Sequence, residues 1–134
     1  MKPPRRVDDE NVLPAPDPAQ VQVIRTYGPG RFVISEREWR EPVLVTPVGS
    51  VGWGVTRAEQ VAVANLGFLR EGEAPAELLV LGCGARAVFI PPPLRAELKA
   101  FGLALEVVDT GSACRIYNVL VSEGRRVAAA LIPL

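Results

Sequence analysis

Hydrophobic and polar residues alternate over short runs in the first half of the chain, a pattern typical of β-strands. These runs lie at 21–25, 31–34, 43–46 and 51–53 and are separated by turns rich in glycine and proline. Their connections are too short for crossovers, so we expect the strands to pair antiparallel. Residues 1–20 differ, because five prolines stand there among charged residues. That composition supports neither a helix nor a strand ladder, and we expect a flexible Pro-rich arm.

A helix is predicted over about 56–66. The sequence Thr56-Arg57-Ala58-Glu59 matches a T-x-x-E capping box, in which the threonine and the glutamate satisfy free amides of the first turn. Apolar and small positions then recur at helical spacing, and Gly67 provides a stop. They are Ala58, Val61, Ala62, Asn65 and Leu66.

The second half predicts a βαβαβ order. Strands are expected at 77–81, 104–108 and 126–132, with helices at 93–101 and 111–123 between them. Right-handed crossovers make the first two of these strands parallel neighbours, which brings the Gly82–Gly84 turn beside Asp109 and Thr110. We therefore expect an α/β fold of layers around a mixed β-sheet, with a β-rich N-terminal half, as one domain over 21–134.

The segment Gly82-Cys83-Gly84-Ala85-Arg86-Ala87 fits the dinucleotide-binding pattern G-x-G-x-x-G/A. In that motif the glycine turn passes directly into the helix whose amides hold the pyrophosphate. Here the prolines at 91–93 block a helix before Leu94, because each proline ring excludes the residue before it from the α region. The sequence therefore argues against a dinucleotide-dependent oxidoreductase.

Composition excludes several other classes of function. Fifteen basic residues balance fifteen acidic ones, so no net field favours nucleic acid. The chain has no histidine and only two cysteines, which rules out a histidine general base and the usual zinc site, and we expect no metal and no cofactor. No segment resembles a signal peptide or reaches membrane-spanning length, so we expect a cytoplasmic protein.

A long C-terminal stretch, Asp109 to Leu120 followed by Glu123 to Pro133, resembles the Mth938-like (DUF498/DUF598) family, whose mitochondrial members include the complex I assembly factor 3 subfamily. The resemblance extends over about residues 20–134. Its other elements are the Tyr27-Gly28 turn before Phe32, Pro42 to Pro47, Trp53, and the strand Leu78 to Gly84. The family usually has Gly-Thr-Gly where this chain has Gly82-Cys83-Gly84. The resemblance implies an α/β fold of stacked layers around a mixed sheet and brings no established catalytic residues.

Two functions follow as hypotheses. The resemblance implies a non-catalytic accessory or assembly factor for a respiratory oxidoreductase, which binds protein partners such as the complex's subunits. The alternative is a small protein or enzyme that binds an anionic ligand, with roughly millimolar to high-micromolar affinity, in a crevice between the glycine turn and the following helix start. The candidate ligand-binding residues are Gly82, Cys83, Gly84, Arg86, Asp109, Thr110, Cys114, Arg115 and Asn118.

Each candidate also has a structural explanation. Asp109 or Thr110 can serve simply as a helix cap, and arginines are commonly solvated surface residues. Cys114 lies in the first turn of a helix beside Arg115, and both features favour a reactive thiolate. It has no histidine partner, so the sequence favours a small, half-buried cysteine at this position.

Overall fold

A computed structural model describes residues 21–134, so the predicted arm lies outside the described residues. Helix α1 spans Pro92–Phe101 and helix α2 spans Thr110–Ser122. The strands are β1 (Ile24–Gly28), β2 (Arg31–Ile34), β3 (Arg37–Trp39), β4 (Val43–Thr46), β5 (Gly49–Gly52), β6 (Leu78–Gly82), β7 (Ala104–Val108) and β8 (Val127–Leu131). The predicted βαβαβ order of the second half is confirmed.

The strands form two sheets. β1, β2 and β3 make an antiparallel three-stranded sheet, and the five-stranded sheet has the order β5-β4-β8-β6-β7. β6 pairs parallel with both β7 and β8, whereas β4 pairs antiparallel with β5 and β8. The larger sheet is therefore mixed, as the sequence predicts. Because β6 and β7 are parallel neighbours, the Gly82 turn and the start of α2 lie at the same edge.

Alternating side chains of the five-stranded sheet fill two cores, one on each face. Leu79 and Leu81 of β6 face α1 and the segment 53–76, whereas Val80 faces α2 and the three-stranded sheet. The central strand β8 is buried throughout and contains three consecutive alanines, so both layers can approach it closely. The result is a fold of stacked layers, which agrees with the predicted fold class.

The prediction of a helix over 56–66 is wrong. This region forms three short 3-10 turns at Ala58–Gln60, Val63–Asn65 and Gly67–Arg70. The expected capping box is absent: the side-chain oxygen of Gln60 accepts from the amides of Thr56 and Arg57 at 2.8 and 3.2 Å. In the same way, the Asn65 oxygen accepts from the Ala62 amide at 3.2 Å. These side-chain bonds compete with helical backbone bonds and break the segment into single turns.

Strand β3 was not predicted from the sequence, and β5 begins at Gly49, two residues before the predicted strand. In β3 only Trp39 is buried, and it pairs with Phe32 of β2. The Arg37 guanidinium lies over the Trp39 ring, 3.9 Å from its centre. A strand with one buried residue carries no alternating pattern, which explains why the sequence did not reveal it.

Candidate functional site

The glycine turn after β6 and the start of α2 are in direct contact. The Thr110 amide donates to the Gly84 carbonyl at 2.9 Å, and the Cys83 amide donates to the Val108 carbonyl at 3.0 Å. A Cβ atom placed on Gly82 would lie 2.9 Å from the Thr110 Cα, so only glycine allows this approach. Gly84 has a φ of +93°, a conformation that also favours glycine. The adjacency predicted from the strand order is therefore present.

The Thr110 hydroxyl joins three segments at this edge of the sheet. The side chain is fully buried. Its oxygen accepts from the Gly84 amide at 2.7 Å and donates to the Ile132 carbonyl, just beyond β8, at 2.6 Å. Both hydrogen-bonding functions of the hydroxyl are thus used within the fold.

Asp109 caps α2. Its carboxylate accepts from the Ser112 amide at 3.0 Å and from the Ser112 hydroxyl at 2.6 Å. These two bonds favour the charged form and lower the pKa of Asp109 below its usual value. Asp109 therefore acts as a helix cap, the structural explanation given for it in the sequence analysis.

Arg115 lies on the outside of α2, where it reaches a residue that the sequence analysis did not select. Its guanidinium donates to the Tyr27 hydroxyl at 2.7 Å and to the Ser112 hydroxyl at 3.2 Å. The Tyr27 ring covers Gly111 so closely that a Cβ there would lie 2.8 Å from the tyrosine oxygen. In the sequence, Tyr27 and Gly28 contribute only to the resemblance to the family. In the structure both belong to β1, and nothing in the pattern of the chain predicts the contact of Tyr27 with α2.

The two cysteines are both free thiols in different environments. Cys114 is buried, and burial raises its pKa to about 12 even though Arg115 acts in the opposite direction. Cys83 is half-buried, and burial raises its pKa as well. Neither environment favours the thiolate that a cysteine nucleophile needs.

Two candidates do not join the others. Asn118 points toward β1, where its side-chain oxygen accepts from the Ile24 amide at 2.9 Å and its nitrogen donates to the Ile24 carbonyl at 2.8 Å. Arg86 is exposed in the loop after the glycine turn. The predicted donors are therefore distributed over separate parts of the surface and the interior.

The polar groups at this edge are largely engaged in holding the fold together. The turn amides of Cys83 and Gly84, the Thr110 hydroxyl and the Asp109 carboxylate all have partners within the chain. The cluster can orient α2 against the sheet and fix the ends of three parallel strands. Binding of a weak anionic ligand here stays a prediction.

Comparison with known proteins gives a family match over most of the chain. The model of the family described as "Protein of unknown function (DUF498/DUF598)" matches residues 24–132. An uncharacterized protein of Rhodobacter capsulatus is 39% identical over 108 residues, which cover 81% of this chain and 82% of that protein. NADH dehydrogenase [ubiquinone] 1 alpha subcomplex assembly factor 3 of Danio rerio is 40% identical over 111 residues. That match covers 83% of this chain and 64% of the zebrafish protein, so the chain spans less than two thirds of this relative's length.

The fold also matches solved structures. The solution structure of a Mth938-like domain from Bordetella pertussis has a TM-score of 0.69 and 29% sequence identity, and the match covers 84% of this chain and 85% of that one. Within residues 21–134, neither helix has the length and apolar character needed to cross a membrane.

Proposed function

The chain belongs to the DUF498/DUF598 family, and on that premise we propose that it is a non-catalytic accessory protein that assists the assembly of a respiratory NADH oxidoreductase by binding its subunits. The observation that carries this proposal is the 40% identity to the zebrafish assembly factor over 83% of the chain. The zebrafish protein is the longer of the two, so what its name says of the whole protein is transferred here as a proposal.

The chemistry of the described residues supports a role without catalysis. The buried thiol of Cys114 has a pKa raised to about 12, and the Thr110 hydroxyl is bonded on both sides by backbone groups. A nucleophile needs an accessible reactive atom and a neighbouring base. With neither group available to a substrate, binding to other proteins is the function that these residues support best.

The proposal is tested by deleting the gene in the organism that encodes this chain. We expect less fully assembled NADH oxidoreductase on native gels, restored by the wild-type chain, and subunits of that enzyme in affinity purifications. Normal enzyme levels together with purifications that lack every subunit would overturn the proposal. Each measurement has its own control. Deletion of an unrelated gene is the control for the native gels, and purification of an unrelated cytoplasmic protein with the same tag is the control for the affinity purifications.

We propose further that the protein works in the cytoplasm. Cys83 and Cys114 are both free, which is consistent with a reducing compartment. Cell fractionation followed by detection of the native protein tests this location, and recovery in a secreted or external fraction would contradict it.

A further inference from the structure

The turn between β4 and β5 presents an apolar side chain to solvent. Val48 at its tip is 89% exposed, the highest exposure among the large apolar side chains of the described residues. The turn is fixed by Thr46, whose hydroxyl accepts from the amides of Val48 and Gly49 at 3.3 and 3.2 Å and donates to the Gly49 carbonyl at 3.1 Å. Val48 is therefore held outward by an ordered turn, which lowers the entropy lost when a partner packs on it.

A hollow of about 530 Å³ lies beside this turn, and we call it the Val48 hollow. Its apolar wall includes exposed, half-buried and buried side chains from distant parts of the chain. Among them are Pro47, Val48, Phe68, Leu69 and Val121. An accessible apolar hollow of this kind is a common feature of sites that bind the apolar side chain of a partner.

One side of the Val48 hollow carries two arginines. Arg125 and Arg126 follow α2, where Gly124 has a φ of +77° and the Arg125 amide donates to the Leu120 carbonyl at 3.0 Å. The Arg126 carbonyl accepts from the amides of Glu77 and Leu78 at 2.8 and 3.2 Å, which ties it to the start of β6. The backbone of both arginines is therefore held in place by hydrogen bonds, and only their side chains have to be ordered when a partner binds.

The charges of these arginines are only partly compensated within residues 21–134. The Arg126 guanidinium lies 3.8 Å from the Glu77 carboxylate, and both side chains are more than half exposed. Such a long, solvated ion pair contributes little to stability, so Arg126 can readily exchange Glu77 for a carboxylate of a partner. Glu71 is the one acidic side chain in the lining of the hollow, against two arginines. The hollow therefore favours carboxylates next to an apolar group.

We infer that the Val48 hollow docks an extended segment of a partner protein in which an apolar side chain lies next to carboxylates. This inference rests on the proposed function and identifies the surface through which it operates. The apolar side chain packs between Val48 and Phe68, while the carboxylates pair with Arg125 and Arg126. The planar guanidinium groups suit such pairing, because each can donate two parallel hydrogen bonds to one carboxylate.

Site-specific photo-crosslinking in the native organism tests the inference. A photoreactive phenylalanine analogue is placed at Val48 in one strain and at Phe89 in a control strain. Phe89 is also largely exposed, at 79%, but it follows the glycine turn at the other end of β6. We expect crosslinks from position 48 to a subunit of the NADH oxidoreductase, at a segment where mass spectrometry finds Asp or Glu beside an apolar residue, and none from position 89.

A charge-reversal pair makes the test quantitative. Arg125→Glu combined with Arg126→Glu should reduce the amount of co-purified subunit by roughly tenfold, equivalent to about 1.4 kcal/mol. The control, Arg57→Glu combined with Lys99→Glu, changes net charge equally at exposed positions outside the hollow and should leave the amount unchanged. Circular dichroism of both double variants confirms that they fold.

Several outcomes would overturn the docking surface. They are crosslinks from position 48 to a second copy of the chain, crosslinks to residues 1–20, or subunits that co-purify without any crosslink at 48. The last result leaves the proposed function standing. If the deletion strain has normal enzyme levels and no subunit co-purifies, but position 48 crosslinks a different protein at a carboxylate-flanked apolar segment, the surface is supported and the proposed function fails.

Discussion

Asn118 binds both backbone groups of Ile24. Its side-chain oxygen accepts from the Ile24 amide at 2.9 Å, and its side-chain nitrogen donates to the Ile24 carbonyl at 2.8 Å. The preceding residue on the helix, Tyr117, donates its hydroxyl hydrogen to the Gln22 carbonyl at 2.9 Å. The side chains of α2 thus take the place of a neighbouring strand along β1, and they attach the three-stranded sheet to the rest of the fold.

Replacing Asn118 with alanine should weaken this attachment. Asn118→Ala leaves the Ile24 amide and carbonyl without their partner, and we expect a loss of about 1–3 kcal/mol in the free energy of unfolding. The control is Val119→Ala on the same helix, where the side chain is 48% exposed. There the lost apolar contact is offset by the higher helix propensity of alanine, so the change should be about 0.5 kcal/mol or less. Urea unfolding measures both, and equal effects would contradict the prediction.

Gly82 and Gly67 offer a matched pair of glycine substitutions. In Gly82→Ala the new methyl group would lie 2.9 Å from the Thr110 Cα and 3.0 Å from the Ala113 Cβ. Backbone must move to accept it, so we expect a loss of about 1–3 kcal/mol. At Gly67 a Cβ meets nothing within 4 Å, and Gly67→Ala should change stability by about 0.5 kcal/mol or less. Thermal and urea unfolding of the two variants compares them directly.

The Thr110 hydroxyl can be tested by two substitutions of similar size. Thr110→Val keeps the shape but leaves the Gly84 amide and the Ile132 carbonyl unpaired in a buried environment, at about 1–3 kcal/mol for each group. Thr110→Ser keeps the hydroxyl and loses one methyl group, worth about 1 kcal/mol. We therefore expect serine to be tolerated better than valine in urea unfolding. The reverse order would show that packing, and not the two hydrogen bonds, is the main role of Thr110.

The sequence predicted the second half of the fold well because each of its elements has a strong local pattern. The buried strand β6 is continuously apolar, and α2 has Ala113, Tyr117 and Val121 at helical spacing on its buried side. The crossover rule then places β6 and β7 side by side. Gly82 and Thr110 consequently lie in contact at the edge of the sheet that the strand order predicts.

The segment 56–70 could not be predicted in this way, because its conformation depends on particular side-chain contacts. Gln60 and Asn65 bond to nearby backbone amides, and the Trp53 indole donates to the Asn65 carbonyl at 2.9 Å. The spacing of apolar residues is the same for a helix as for these packed turns, so periodicity alone gives the wrong answer here. The contact between Arg115 and Tyr27 has the same origin, since it joins residues that are far apart along the chain.

The same limit applies to the candidate site. Sequence spacing brought the glycine turn and the helix start together, but it could not show that their amides and hydroxyls bond to each other. Nor could it locate the Val48 hollow, because β4, the 3-10 turns and the end of α2 contribute to its wall from distant parts of the sequence.

Asp109 should make the stability of the protein dependent on pH. Its pKa is lowered in the folded state, first by the Ser112 hydroxyl and then by the Ser112 amide. Its charge therefore stabilises the fold above the unfolded pKa of about 3.9, and this contribution is lost as the pH falls through the lower folded value. The stability difference between wild type and Asp109→Asn, in which asparagine can still cap, should shrink between pH 7 and strongly acidic pH.

Ser112→Ala provides the companion measurement for Asp109. Loss of the hydroxyl donor should raise the pKa of the Asp109 carboxyl group. NMR titration of the carboxyl carbon in the folded protein measures this pKa. A pKa that stays the same in Ser112→Ala would mean that the hydroxyl bond does not carry the shift.

Cys114 should be nearly inert toward alkylation in the folded protein. Burial raises its pKa to about 12, so at pH 8 the thiol is almost entirely protonated, and the side chain is 2% exposed. Iodoacetamide should therefore modify the half-buried Cys83 first, and it should reach Cys114 only when urea unfolds the chain. The variant Cys83→Ser isolates the second thiol for mass spectrometry. If Cys114 in that folded variant is labelled at a rate close to that in urea, it is an accessible thiolate and a nucleophilic role at the start of α2 is supported. Slow labelling instead supports packing against the sheet as the role of this residue.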